Sequence, residues 1–225
     1  MLSSPISRQE IKNRAKQVLM GLYQAKKKQL GTSPSVINFY PVEPEMVVRD
    51  LNWKIDEVAQ LGFTSYCKSV KATCLHEKRI IRIATDEIAN LGHKHFTIAH
   101  EIGHIFLHRP PLVFTDLNRT DPPSSPLIGP EYAFRTRERE ADMFATELLM
   151  PEKAVRWQFR EMFGRESLSP RLVETQFRDL KQFALDLAAR EMSKDASKGK
   201  SLMGVFSVSR SAMAGRLIEL DLAHT

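Results

Sequence analysis

The run His100-Glu101-Ile102-Gly103-His104 places two imidazoles four residues apart, with a carboxylate beside the first. On a helix, residues i and i+4 stand on one face about a turn apart, so both rings can meet one cation. Glu101 lies roughly 100° around the helix and can hold a water at that cation without coordinating it, as a general base does. Zinc suits such a set because it accepts imidazole nitrogen and carboxylate oxygen and draws the pKa of bound water toward neutrality. Random order would give H-E-x-x-H in roughly one or two chains of this size in a hundred. The flanks Phe96-Thr-Ile-Ala99 and Ile105-Phe-Leu107 add the apolar side that a buried helix carrying the motif requires.

A hydrolytic site also needs a third protein ligand and an open fourth position. His108 falls about 12 Å along the axis from His100 on a straight helix, too far to share one ion, so a packing or polar role below the site is expected. The better candidate lies in Glu138-Arg-Glu140-Ala-Asp142, within a helical run that ends at Pro151. Ala141, Phe144, Ala145, Leu148 and Leu149 mark its buried face, and Glu138 and Asp142 stand together at the border. Glu140 is expected to project with Glu147 to the far side. Glu138 is therefore the expected third ligand. Asp142, one turn on, can accept the free ring N–H of a ligating histidine, most simply His100, fixing its tautomer and raising its basicity. No residue pattern identifies an additional oxyanion donor; Tyr132 and His108 are the candidates.

These residues resemble the ImmA/IrrE metallopeptidases, which are gluzincin-like. The matching stretches are Phe96-Thr-Ile-Ala-His-Glu-Ile-Gly-His-Ile-Phe-Leu-His108 and Glu138-x-Glu-Ala-Asp-x-Phe-Ala-x-Glu-Leu-Leu-Met-Pro151. A third and weaker one is Val208-Ser-x-x-Ala212-Met-x-x-Arg216-Leu-x-x-Leu220. The resemblance implies a zinc-dependent endopeptidase, with His100, His104 and Glu138 as ligands of Zn2+ and Glu101 as catalytic base. It implies a protein substrate as well: a helix-turn-helix repressor or antitoxin, cut at one site so that repression is relieved. The basic N-terminal helix and the long loop at 109–133 depart from the family pattern and inherit no role.

Several elements must position these groups. Helical periodicity runs from about 93 to 108 and again over 134–149, and Pro151 opens a further helix that ends at Gly164. Even positions Tyr66, Val70, Ala72 and Cys74, followed by Arg79-Ile-Ile-Arg-Ile-Ala84, read as an antiparallel pair in which both cysteines are ordinary strand residues. Between 42 and 60 helix and strand signals compete: Met46, Val47 and Leu51 suit a helix, Trp53 and Ile55 a strand. Ser7 and Glu10 form a capping box ahead of an amphipathic helix over 7–30, with Ile11, Ala15, Val18, Leu19 and Leu22 on one face and Gly31 as its stop. Six of the twelve prolines lie in 110–130, a long loop. Residues 171–192 are helical again, 193–201 resemble a flexible linker, and 202–222 close the chain. The expected architecture is α+β: a basic helix over 1–33, a zincin-like peptidase domain over 34–165 with a small antiparallel sheet and active-site helices, and a helical subdomain over 166–225.

The net charge of +6 lives in the first 30 residues, where seven basic side chains face Glu10 alone; the remainder holds 26 basic and 26 acidic residues. A basic pI is therefore weak support for nucleic-acid binding. The tail around Ser209 resembles the second half of a helix-turn-helix, and Arg210 and Arg216 could touch phosphate, but Glu219 and Asp221 sit beside them, so a packed helical subdomain is favoured over direct DNA binding. Two cysteines build no disulfide framework, and no stretch approaches the length of a membrane span, so a soluble, cytoplasmic protein is expected. Two other functions fit the motif: a non-catalytic regulator or toxin–antitoxin component with a structural or vestigial metal, and a peptidase of broad specificity. Oligomeric state has no sequence signal.

Overall fold

The computed structural model describes residues 5–34, 39–62, 70–108, 130–170, 179–191 and 200–224. Among these, eight helices and three strands form, a mixed α+β fold. In chain order they are α1 (Arg8–Leu30), α2 (Pro44–Asp50), β1 (Lys54–Val58), β2 (Ala72–Leu75), β3 (Ile80–Ala84), α3 (Leu91–Leu107), α4 (Pro130–Leu149), α5 (Glu152–Phe163), α6 (Leu180–Ala189), α7 (Leu202–Phe206) and α8 (Arg210–Glu219). No helix among the described residues is long and apolar enough to cross a membrane. The predicted loop at 110–130 lies outside the described residues except for Pro130, as do Tyr66 and most of the predicted linker at 193–201.

Both competing signals between 42 and 60 are satisfied in succession, by α2 and then β1. The predicted antiparallel pair forms as β2 and β3, with Cys74 opposite Ile81. The sheet is not purely antiparallel, because β1 adds in parallel to the other side of β3, Lys54 opposite Ile80 and Val58 opposite Ala84. The order is thus β1-β3-β2. The apolar runs explain this order: β3 carries the fully buried Ile81, Ile83 and Ala84, as a central strand must, while β1 and β2 are half-exposed.

The chain separates into two compact units. The first comprises residues 1–22, 43–89 and 94–145. Its core joins Ile11 and Ala15 of α1, Ile81 and Ile83 of β3, Ile98, Ala99 and Ile102 of α3, and Ala141, Phe144 and Ala145 of α4. Full burial of each large apolar side chain stabilises the fold by about 1.5–3 kcal/mol. Ser7 caps α1, its hydroxyl accepting the Glu10 N–H at 3.2 Å. Phe106 and Phe144 stack with centroids 5.7 Å apart.

Helices α3 and α4 approach closely at Gly103. A Cβ there would meet the Ala141 Cα at 3.0 Å and its carbonyl oxygen at 3.1 Å. The motif's only glycine thus lets the two helices lie nearly backbone to backbone.

The second unit comprises residues 23–42, 90–93 and 146–225. Phe159, Phe183, Leu187, Phe206, Met213 and Leu217 are buried within it. Ser209 caps α8 by accepting the Ala212 N–H, and Gly164 ends α5 in the left-handed region at φ 65°. At its centre Arg216 is buried, donating to the Met150 carbonyl at 3.0 Å and pairing with Glu147 at 3.0 Å and Glu219 at 2.7 Å. A guanidinium so enclosed is not available to a phosphate, which removes one of the two arginines considered for DNA contact. The other, Arg210, donates to the Leu185 carbonyl at 2.8 Å.

Candidate metal centre

His100 and His104 stand one turn apart on α3, and their Nε2 atoms converge to 3.0 Å. Glu138, from α4, brings Oε2 to 3.3 Å from the His100 Nε2 and Oε1 to 3.2 Å from the His104 Nε2. One donor atom from each of the three side chains lies within 4.8 Å of the others. Two imidazole nitrogens and a carboxylate pointing at one spot are a donor set for a transition-metal dication rather than for calcium or magnesium, which favour all-oxygen shells.

The electrostatics agree. Burial alone would lower the His100 pKa, but hydrogen bonds to Asp142 and Glu138 and the charges of Glu101 and Glu138 outweigh it and lift it to about 10. Burial alone would raise that of Glu138, but hydrogen bonds from His100 and His104 and their charges hold the carboxyl at about 2. Both shifts describe the same attraction from its two ends. The cluster is built around positive charge, which a proton on His100 supplies when no cation does.

Further carboxylates back the two imidazoles. The His100 Nδ1 lies 2.8 Å from the Asp142 Oδ1. The His104 Nδ1 lies 2.9 Å from the His108 Nδ1, and the His108 Nε2 lies 2.9 Å from the Glu140 Oε2. His108 therefore sits below the triad in a polar role. With both ring nitrogens engaged there, it does not offer the oxyanion donor considered from sequence, and Tyr132 is half-exposed on α4. Glu140 and Glu147, expected on the far side of α4, are both buried. That side is covered, since the N-terminal segment meets Glu140 and Arg216 meets Glu147.

Glu101 is 7% exposed, beside the cluster. Two neighbours on β2 and just after it escaped the sequence reading. The Cys74 thiol donates to the Glu101 carbonyl at 3.5 Å; burial first, then the Glu101 charge and a hydrogen bond with its side chain, push the thiol pKa far up. His76 packs edge-on against Trp53, and its pKa is lowered by burial and by the charge of His104, against the pull of Glu101. Strand alternation could have placed Cys74 alone, because β2 ends at Leu75 and His76 opens a short 3-10 turn over His76–Lys78. Strand β3 is paired on both sides and offers no edge to an extended peptide; among the described residues the edge strand adjoining Glu101 is β2.

No curated protein matches the chain. The family profile of peptidase M78, described as the IrrE N-terminal-like domain, matches residues 63–178, just over half of the sequence, and spans α3, α4 and the whole cluster. The chain belongs to this family, the ImmA/IrrE metallopeptidases.

Proposed function

We propose that the protein is a zinc-dependent, site-specific endopeptidase whose substrate is a helix-turn-helix repressor or antitoxin, so that cleavage relieves repression. The observation that supports the zinc assignment is the convergence of three side chains. The His100 and His104 Nε2 atoms lie 3.0 Å apart, and the Glu138 carboxylate meets the first through Oε2 at 3.3 Å and the second through Oε1 at 3.2 Å, so imidazole and carboxylate donors, the ligand types zinc prefers, face one spot. His100, His104 and Glu138 would hold the ion and leave the fourth position to solvent or substrate.

Zinc bound there would polarise the scissile carbonyl and acidify a water. The chain's own residues do the rest. Glu101, buried beside the ligands, accepts the proton of the attacking water and returns it to the leaving amine. Asp142 keeps His100 oriented with Nε2 toward the ion. Among the described residues β2 is an edge strand, and its outer side would present backbone N–H and C=O groups to an extended peptide, which would add as a further strand next to Glu101. Strand addition reads sequence weakly, so selectivity for one target would come from other surfaces.

The restriction to a single regulatory target rests on the family resemblance and is tested directly. The protein is co-expressed with candidate helix-turn-helix regulators from its own genome, and fragments are weighed with and without chelator. One discrete cut, abolished by chelator and by Glu101→Gln while zinc remains bound, is expected. Cleavage by the Gln variant would refute the proposed base. Wide digestion of a generic unfolded protein would refute the single target.

A further inference from the structure

Behind His104 runs a buried polar chain that the reaction does not itself use. The His108 and Glu140 side chains are 7% and 6% exposed and lie 2.9 Å apart. The second oxygen of Glu140, Oε1, accepts the main-chain N–H of Ile6 at 2.6 Å. Ile6 directly precedes the Ser7 cap of α1, and the first turns of α1 are tied to α3 again where the Arg14 guanidinium donates to the Phe106 carbonyl at 2.8 Å. This N-terminal segment lies outside the residues matched by the family profile.

The proton positions along the chain follow from the metal. For the His104 Nε2 to donate its lone pair to an ion, the ring of a neutral His104 must carry its proton at Nδ1. The Nδ1 atom of His108, 2.9 Å away, must then accept. His108 keeps its own proton on Nε2 and donates to Glu140. The carboxylate terminates the chain as acceptor of two bonds, one from His108 and one from Ile6. Only this polarity leaves every buried group satisfied and the His104 Nε2 free. His100 reaches a carboxylate directly through Asp142, whereas His104 reaches one through an intervening imidazole.

We propose that His108 and Glu140 are positioning residues that hold the His104 ring toward the metal, and that the Ile6 N–H completes this chain, making the N-terminal segment a working part of the metal centre. This rests on the reading of His100, His104 and Glu138 as metal ligands, and the measurements separate the two. If the unaltered protein binds no zinc or cobalt, that reading fails. If it binds and the variants bind equally well, the positioning role fails.

Because a single truncation could strand a buried charge and unfold the protein, the main variant replaces both partners, His108→Phe with Glu140→Leu, an apolar pair of similar volume that folding tolerates. Zinc affinity by chelator competition on the folded variant is expected to fall 10- to 100-fold, the usual effect of losing an outer partner of a ligating histidine, and the visible bands of the cobalt-substituted form should shift. Ile6→Pro removes the main-chain donor together with the Ile side chain and is expected to weaken zinc binding several-fold, whereas Ile6→Ala, which keeps the N–H, should bind zinc as the unaltered protein does. In the zinc-loaded, 15N-labelled protein, His104 should carry its proton at Nδ1 and His108 at Nε2. Unchanged affinity and cobalt spectrum in the double variant would overturn the positioning role. Unchanged affinity in Ile6→Pro, with the double variant impaired, would overturn the part assigned to the N-terminal segment. A proton on the His108 Nδ1 would overturn the proposed polarity.

Discussion

Loading the centre with metal is expected to release a proton. The His100 pKa of about 10 means that near neutrality the metal-free cluster holds an imidazolium where the ion will sit. Glu138, at about 2, is ionised throughout and releases nothing. Removing the His100 proton costs about 1.4 kcal/mol per pH unit below its pKa, hence roughly 3 kcal/mol near pH 7.5. Apparent zinc affinity should therefore rise about tenfold per pH unit from about pH 7.5 to about pH 9.5, and level off near pH 10. The same shift acts on the metal-free fold. A pKa raised from 6.5 in the unfolded chain to about 10 gives stability that is fully present below 6.5 and is lost as pH rises through 10. Its ceiling is of order 5 kcal/mol at 1.4 kcal/mol per unit. Solvent access to the ring reduces this, and the Glu138 shift is not added because it counts the same contact. Calorimetric titration in two buffers of different ionisation enthalpy at about pH 8 measures the protons released per ion. Asp142→Asn, which removes a principal support of the raised pKa, should reduce that number. A pH-independent affinity with no proton release would refute the charge assignment of the cluster.

Two further substitutions test the scaffold. Gly103→Ala inserts a methyl at 3.0 Å from the Ala141 Cα, so α3 and α4 must separate by a few tenths of an ångström; overpacking of about 1–3 kcal/mol and weaker metal binding are expected together, by denaturant melts and chelator competition. Because the obstructing atoms are backbone, adding Ala141→Gly should not rescue it, and rescue would refute the close-approach argument. In the second unit, Arg216→Met leaves the buried Glu147 without its guanidinium and is expected to cost about 3–5 kcal/mol in urea unfolding. Adding Glu147→Leu should recover most of that; a double variant as unstable as the single would show that the loss came from elsewhere.

What could be read in the sequence and what could not divides along a physical line. Helix phase within one element is a local property: the four-residue spacing of His100 and His104 and the placing of Glu138 and Asp142 at the border of an apolar stripe needed only the 100° step. The structure brings those four side chains together. The helical and strand signals over α3, α4, β2 and β3 were strong for the same reason, since each element carries its own periodicity. Errors arose where a side chain's fate depends on what covers it. Glu140 and Glu147 lie on the side of α4 away from its apolar face, and phase alone assigns such positions to water. A main-chain N–H from residue 6 and an arginine at residue 216 occupy that space instead, at sequence separations of 134 and 69 that no periodicity encodes. The order β1-β3-β2 is non-local too, and it decides which of the described strands is the sheet edge near Glu101. A catalytic motif is thus legible because the chemistry demands it within one or two helices. The packing that orients the motif is drawn from the whole chain, and here it comes from a segment ahead of the family domain, which is why residues 5–14 belong in any account of how His104 is held.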